Sequence, residues 1–263
     1  MLDTAVMVGA VPEGYGWSDG MVSLDTYFAM ARGADAGACG CGNPSHHAAG
    51  VPALEMTKWF DTNYHYLVPE LGPNQRFVLA SMKPIDEFRQ AKALGIRTRP
   101  VLVGPVTFLK LAKGGVGFDR LKLIDRLMSV YIDVLKRLVA NGADWVQMDE
   151  PILATDLDEA TRAALNTAYG LIASAVPTLK IMLTSYFAPL ADNLNLAISL
   201  PTAGLHLDLV RGRTDLSSAL TRAAGGKVLS LGVIDGRNIW RTDLDACLDL
   251  VQPILARRGL DHI

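Results

Sequence analysis

The feature that most constrains the fold is an alternation that sets in near residue 76 and continues to the last helix. Short β-rich runs are each followed by a longer amphipathic stretch. Phe77–Ser81 precedes a helix expected near Ile85–Leu94, and Arg99–Val103 precedes helical segments at Val106–Ala112 and Leu121–Ala140. Trp145–Met148 leads to Glu159–Ala175, Lys180–Thr184 to Leu190–Ala197, Gly204–Leu209 to Leu216–Ala224, and Val228–Val233 to Leu244–Arg257. These are six strand-then-helix units of roughly 30 residues, the size of a repeated βα unit. The strand runs are almost continuously apolar, the pattern of parallel strands covered on both faces. Leu121–Ala140 shows the helical signal most clearly. Leu121, Ile124, Leu127, Met128, Tyr131, Leu135 and Leu138 recur at three- and four-residue steps, with Lys122, Asp125, Asp133 and Lys136 on the other face. Asn141-Gly142 is placed to end that helix through a left-handed cap.

Such an order permits an open doubly wound sheet or a closed barrel. No glycine-rich phosphate turn follows the first strand, which counts against a nucleotide-binding open sheet. A chain of 263 residues is also an ordinary length for an α/β barrel. The fold class expected is therefore α/β, of the (β/α)8 TIM-barrel type, incomplete, with about six of eight βα units present. The whole chain, 1–263, is expected to form this one partial domain.

Composition excludes several functions. Net charge is −2 with 20% charged residues, and no basic patch stands out, so neither nucleic acid nor an anionic membrane surface is an expected partner. No apolar run reaches the roughly 18 residues that span a bilayer, and MLDTAVMVGAVPEGYG has no basic leader region. Cys39, Cys41 and Cys247 cannot all pair within one chain, which agrees with a reducing, cytoplasmic location.

Before the alternation the chain is less regular. Leu2–Val11 is expected to form a short helix or strand, and Leu24–Ala31 a helix capped by Ser23. Residues 32–50, rich in Gly and Ala, are expected to form a flexible loop. Within it Cys39, Cys41, His46 and His47 offer metal-binding groups, but their spacing matches no common structural zinc site, and a surface tail is favoured. The stretch EMTKWFDTNYHYLVPE, Glu55–Glu70, follows neither a helical nor a strand period. Its aromatic residues alternate with Lys58, Asp61, Thr62, Asn63 and His65, and it is expected to be a loop folded over a concave site. The alternative is an irregular plug on the end of a core.

In α/β barrels chemistry gathers at the C-terminal ends of the strands. Asp149 and Glu150 are placed there as a carboxylate pair. Adjacent strand residues point to opposite faces, however, so one of them is as well suited to tying down backbone amides or Arg237. His206 and Asp208 share a strand face and are a possible metal pair, but no third ligand has a convincing spacing, and a satisfied interior histidine is favoured.

Taken in order, EMTKWFDTNYHYLVPE, RPVLVGPVTFLKLAK, DWVQMDEPIL, TSYF, GLHLDLV and LGVIDGRNIWR closely resemble the N-terminal half of cobalamin-independent methionine synthase. The resemblance covers nearly the whole chain. It implies two face-to-face (β/α)8 barrels that transfer a methyl group from methyltetrahydrofolate triglutamate to homocysteine. It places zinc and the thiol-activating residues in a C-terminal barrel that this chain lacks, so no metal or other cofactor is expected in the chain itself. Lys58 matches the family's lysine that holds the polyglutamate tail. The family's opening GFPR strand and its last strand have no counterpart here, so the chain is expected to be a fragment with two unpaired sheet edges, inactive alone and poorly soluble or completed by another polypeptide. Non-catalytic folate binding, a truncated remnant, and an independent hydrolase built on Asp149 and Glu150 are the competing readings.

Overall fold

The computed structural model describes residues 1–35, 50–223 and 226–263, which form two compact units, Met1–Ala143 and Asp144–Ile263. Cys39, Cys41, His46 and His47, and most of the loop expected at 32–50, lie outside the described residues.

The first unit opens with α1 (Leu2–Met7) and α2 (Leu24–Arg32). Ser23 caps α2 as expected, its hydroxyl accepting from the Thr26 amide at 3.1 Å. Val6, Val11, Tyr15, Ala29, Met30 and Leu54 close into a small core around these helices. The stretch expected to be an irregular loop is instead a β-hairpin, in which β1 (Met56–Lys58) pairs antiparallel with β2 (His65–Leu67). The next strand, β3 (Glu70–Leu71), precedes α3 (Lys83–Ala93), β4 (Val101–Val103), α4 (Pro105–Leu111), β5 (Lys113–Gly114) and α5 (Ile124–Ala140). β3 and β5 pair in parallel.

The expected strand at Phe77–Ser81 is not a ladder strand. Its amides at Val78 and Ala80 donate to the carbonyls of Val8 and Met7, at 3.1 and 2.9 Å, so it is held by the irregular turn after α1. The helical period of α5 is realised in its packing: Leu127, Met128, Tyr131, Val134, Leu135 and Leu138 are all buried. Each such side chain contributes on the order of 1.5–3 kcal/mol. The Tyr131 hydroxyl donates to the Val103 carbonyl at 2.7 Å, so the helix meets the end of β4 through a satisfied polar contact. Gly142, with φ +91°, provides the left-handed residue that ends it.

The second unit repeats strand and helix: β6 (Trp145–Asp149), α6 (Glu159–Ala175), β7 (Lys180–Thr184), α7 (Leu194–Ser199), β8 (Gly204–Asp208), α8 (Asp215–Arg222), β9 (Val228–Gly232) and α9 (Leu244–Arg258). β6, β7, β8 and β9 lie side by side in chain order, all parallel. One face presents Val146, Met148, Ile181, Leu183, Leu205, Leu207 and Leu229, every one buried. The other carries Gln147, Asp149, Thr184, His206, Asp208 and Ser230. This is the α/β class that the alternation implies. No closed barrel is detected among the described residues.

Candidate functional site

The hairpin is built by its own side chains. Thr62 is fully buried. Its hydroxyl donates to the Trp59 carbonyl at 2.6 Å and accepts from the Tyr64 amide at 3.0 Å, while the Trp59 amide donates to the Tyr64 carbonyl at 2.7 Å. Phe60 takes a left-handed φ of +52°, unusual for a bulky residue and tolerated only where the surroundings determine it. Trp59 meets Phe60 and Tyr66 edge-on at centroid distances of 5.2 and 5.5 Å. The Tyr66 hydroxyl donates to the Leu111 carbonyl at 3.0 Å. Burial, with the nearby Glu55 carboxylate, pushes the Tyr66 phenol above its ordinary pKa.

This scaffold fixes the backbone that carries Lys58. Lys58 itself is exposed, opposite His65 across the ladder. It forms no ion pair among the described residues, whereas the neighbouring Lys113 donates to Glu55 at 2.7 Å, a hydrogen bond that raises the Lys113 pKa. A cleft of about 840 Å³ lies in the same unit, lined among others by Trp17, Glu70, Arg76 and Lys113. Lys58 is not part of its wall.

The strand ends of the second unit form a separate polar group. In register across the sheet stand Asp149, Thr184, His206 and Ser230. Asp149 accepts from Gln147 at 2.8 Å and from the Tyr186 hydroxyl at 3.2 Å, whereas Glu150 is fully buried and accepts from Tyr169 at 3.4 Å. The two carboxylates thus diverge, as residues at the end of a strand should, and are not brought together as an acid/base pair. Arg237 stacks over the Phe187 ring at 5.2 Å.

His206 shares a hydrogen bond of 2.8 Å with Ser230 through Nδ1, and its Nε2 lies where a side chain at Gly232 would sit, within 2.8 Å of a built Cβ. Asp208 accepts from the amides of Phe187, Val210 and Arg211, each at 3.0 Å, so its carboxylate organises two loops. A cavity of about 300 Å³ adjoins His206, Asp208 and Arg237. In its lining, the backbone amide of Arg237 holds the Asp235 carboxyl below its usual pKa, with Asn238 also donating to it.

Among the described residues no three His, Cys, Asp or Glu side chains gather closely enough to hold a metal ion. The described donor set therefore does not fit a zinc centre. Nor, among the described residues, is any helix long and apolar enough to cross a membrane. Sequence reasoning missed the structural parts of Thr62, Tyr66 and the Glu55–Lys113 pair. The one signal for them was the polar triplet Asp61-Thr62-Asn63 between aromatic residues, which is turn chemistry without the glycine that marks most hairpins.

Comparison with known proteins agrees with this organisation. The chain is 59% identical to the 5-methyltetrahydropteroyltriglutamate–homocysteine methyltransferase of Caulobacter vibrioides over 270 residues, covering 100% of this chain and 35% of that protein. It is 58% identical to the protein of the same description from Nitrobacter winogradskyi, again over 100% of this chain and 35% of the other. The chain therefore spans about a third of the length of the curated relatives it matches. Among solved structures, a B12-independent methionine synthase from Shewanella sp. W3-18-1 in complex with selenomethionine is similar with a TM-score of 0.59 at 14% identity, covering 76% of this chain and 62% of that one. At that identity the likeness is one of fold. Residues 1–259 match the family described as cobalamin-independent synthase, N-terminal domain, and the chain belongs to that family.

Proposed function

We propose that this chain is the tail-holding part of a methyl transfer from 5-methyltetrahydrofolate polyglutamate to homocysteine, in methionine biosynthesis in the cytoplasm. In this reading it is part of one (β/α)8-type domain, works with a separate zinc-bearing barrel, and is inactive without it. Support comes from the methyltransferase activity by which relatives 57–59% identical over the full chain are named. The observation that carries the reading is the hairpin. Its turn, aromatic contacts and buried Thr62 fix a backbone from which Lys58 projects as an exposed cation beside Trp59. An ammonium so placed suits the repeated carboxylates of a glutamate tail, and its position costs little further ordering of the backbone on binding.

No step of the methyl transfer is assigned to a residue of this chain. The role of Lys58 is to bind and orient one end of the donor. Calorimetric titration with a triglutamate folate tests it: Lys58→Ala is expected to weaken binding about tenfold or more, as befits a charge-assisted contact worth about 1.5–3 kcal/mol. Equal binding by the two forms would remove Lys58 from the site, and no binding by folded protein of either form would refute the tail-holding role.

A further inference from the structure

We infer that the strand ends of the second unit form a small-molecule site for an aliphatic α-amino acid, bound as the zwitterion with its ammonium toward the sheet and its carboxylate toward the rim. The site is separate from the hairpin, and the inference does not rest on the tail-holding role of Lys58.

In parallel α/β sheets ligands bind beyond the carboxyl ends of the strands. Here β6, β7, β8 and β9 end on Asp149, Thr184, Asp208 and Gly232. Register sets Asp149 beside Thr184, Thr184 beside His206 and His206 beside Ser230 on one face, which also carries Asp208. The cavity of about 300 Å³ has His206, Asp208 and Gly232 in its wall. It offers the room of about ten water molecules, too little for a nucleotide and suited to a molecule of amino-acid size.

Two observations point to a polar ligand. The first is Thr184, only 5% exposed, whose hydroxyl is buried with no hydrogen-bond partner among the described residues. A hydroxyl desolvated without a partner costs free energy, and the place of Thr184 between Asp149 and His206 puts the unmet group on the polar face of the sheet. The second is a gradient of charge. Asp149 and Asp208 are half-buried on that face, whereas Arg211 and Arg237 stand exposed in the outer part of the cavity wall. Both guanidiniums act on the single carboxylate of Asp235, so the rim carries two cations to one anion.

The groups are also held in place. Three backbone amides fix the Asp208 carboxylate, which keeps acceptor capacity to spare, and Arg237 lies over the Phe187 ring at 5.2 Å. A plain cation meets like charge at the rim and a plain anion meets it at the sheet, whereas a zwitterion is matched at both. Val210, Leu231, Val233 and Ile234 make the apolar part of the wall, which suits an unbranched aliphatic side chain.

The test titrates the full chain calorimetrically with L-norleucine and with two analogues that each lack one charged group: hexanoate, without the ammonium, and pentylamine, without the carboxylate. Wild type is expected to bind norleucine at least about tenfold more tightly than either analogue, the factor for one charge-assisted contact. Thr184→Val keeps the side-chain shape. It should weaken norleucine about threefold to tenfold and leave the melting temperature of the ligand-free chain unchanged or raised, since a methyl group replaces the unmet hydroxyl. Arg237→Gln should weaken norleucine and hexanoate and leave pentylamine as it was. Circular dichroism first shows each variant to be folded. No saturable binding of norleucine by folded wild type overturns the site. An analogue bound as tightly as norleucine overturns the zwitterion, and norleucine affinity unchanged in either folded variant overturns its placement at these strand ends.

Discussion

At the residue scale, two lysines show how far environment outweighs identity. Lys58 stands in solvent on a rigid hairpin, whereas Lys227 is half-buried, its Nζ donating to the Leu200 carbonyl and the Thr202 hydroxyl, both at 2.9 Å. Those partners are neutral, and burial pushes the Lys227 pKa from 10.5 down to about 8. Because the folded-state value lies below the unfolded one, the unfolded chain binds more protons between them. Stability should therefore be level below about pH 8, rise as pH climbs toward about 10.5, and level off again. Urea unfolding followed across that range should show a rise on the order of 1–2 kcal/mol, discounted for the solvent that still reaches the group, and Lys227→Met should flatten it. A rise unchanged in the variant would assign it to another group. Lys58 was recognisable only through the surrounding EMTKWF motif, and nothing marked Lys227, because its carbonyl partner comes from a loop 27 residues away.

At the element scale, the hairpin depends on one buried hydroxyl. Thr62 satisfies both the Trp59 carbonyl and the Tyr64 amide. Thr62→Val keeps the shape and removes both bonds, so it should destabilise the chain by about 1–3 kcal/mol and weaken tail binding without touching Lys58. Thermal unfolding and the folate titration check the two effects. Unchanged affinity in a destabilised variant would mean that the turn does not position Lys58. The hairpin was hidden in the sequence because its turn has no Asn-Gly or Asp-Gly and places Phe60 at positive φ. In contrast, α5 and α6 were legible almost to the residue. A long apolar stripe buried on one side is a periodic signal, and a cap such as Ser23 is local chemistry.

At the scale of the whole molecule, the chain spans about a third of its curated relatives, and no three His, Cys, Asp or Glu side chains gather to hold a metal among the described residues. Mixing it with a separately prepared zinc-bearing barrel from a full-length relative is expected to give methyl transfer that neither part gives alone, at a rate lowered by Lys58→Ala. Folate binding without restored turnover would favour a purely binding module.

The α/β class, the parallel character of β6 to β9 and the helical faces were determined by the sequence itself, since each depends on a pattern within one or two elements. His206 as a satisfied histidine was also legible, and Ser230 proved to be its partner. Tertiary structure alone decided that Asp149 and Glu150 part to different neighbours, that residues 77–81 bond to the turn after α1, and that Lys58 stands opposite His65 on a hairpin. Those outcomes depend on which distant backbone groups and side chains meet. A local pattern encodes the period of an element, but not the identity of what packs against it.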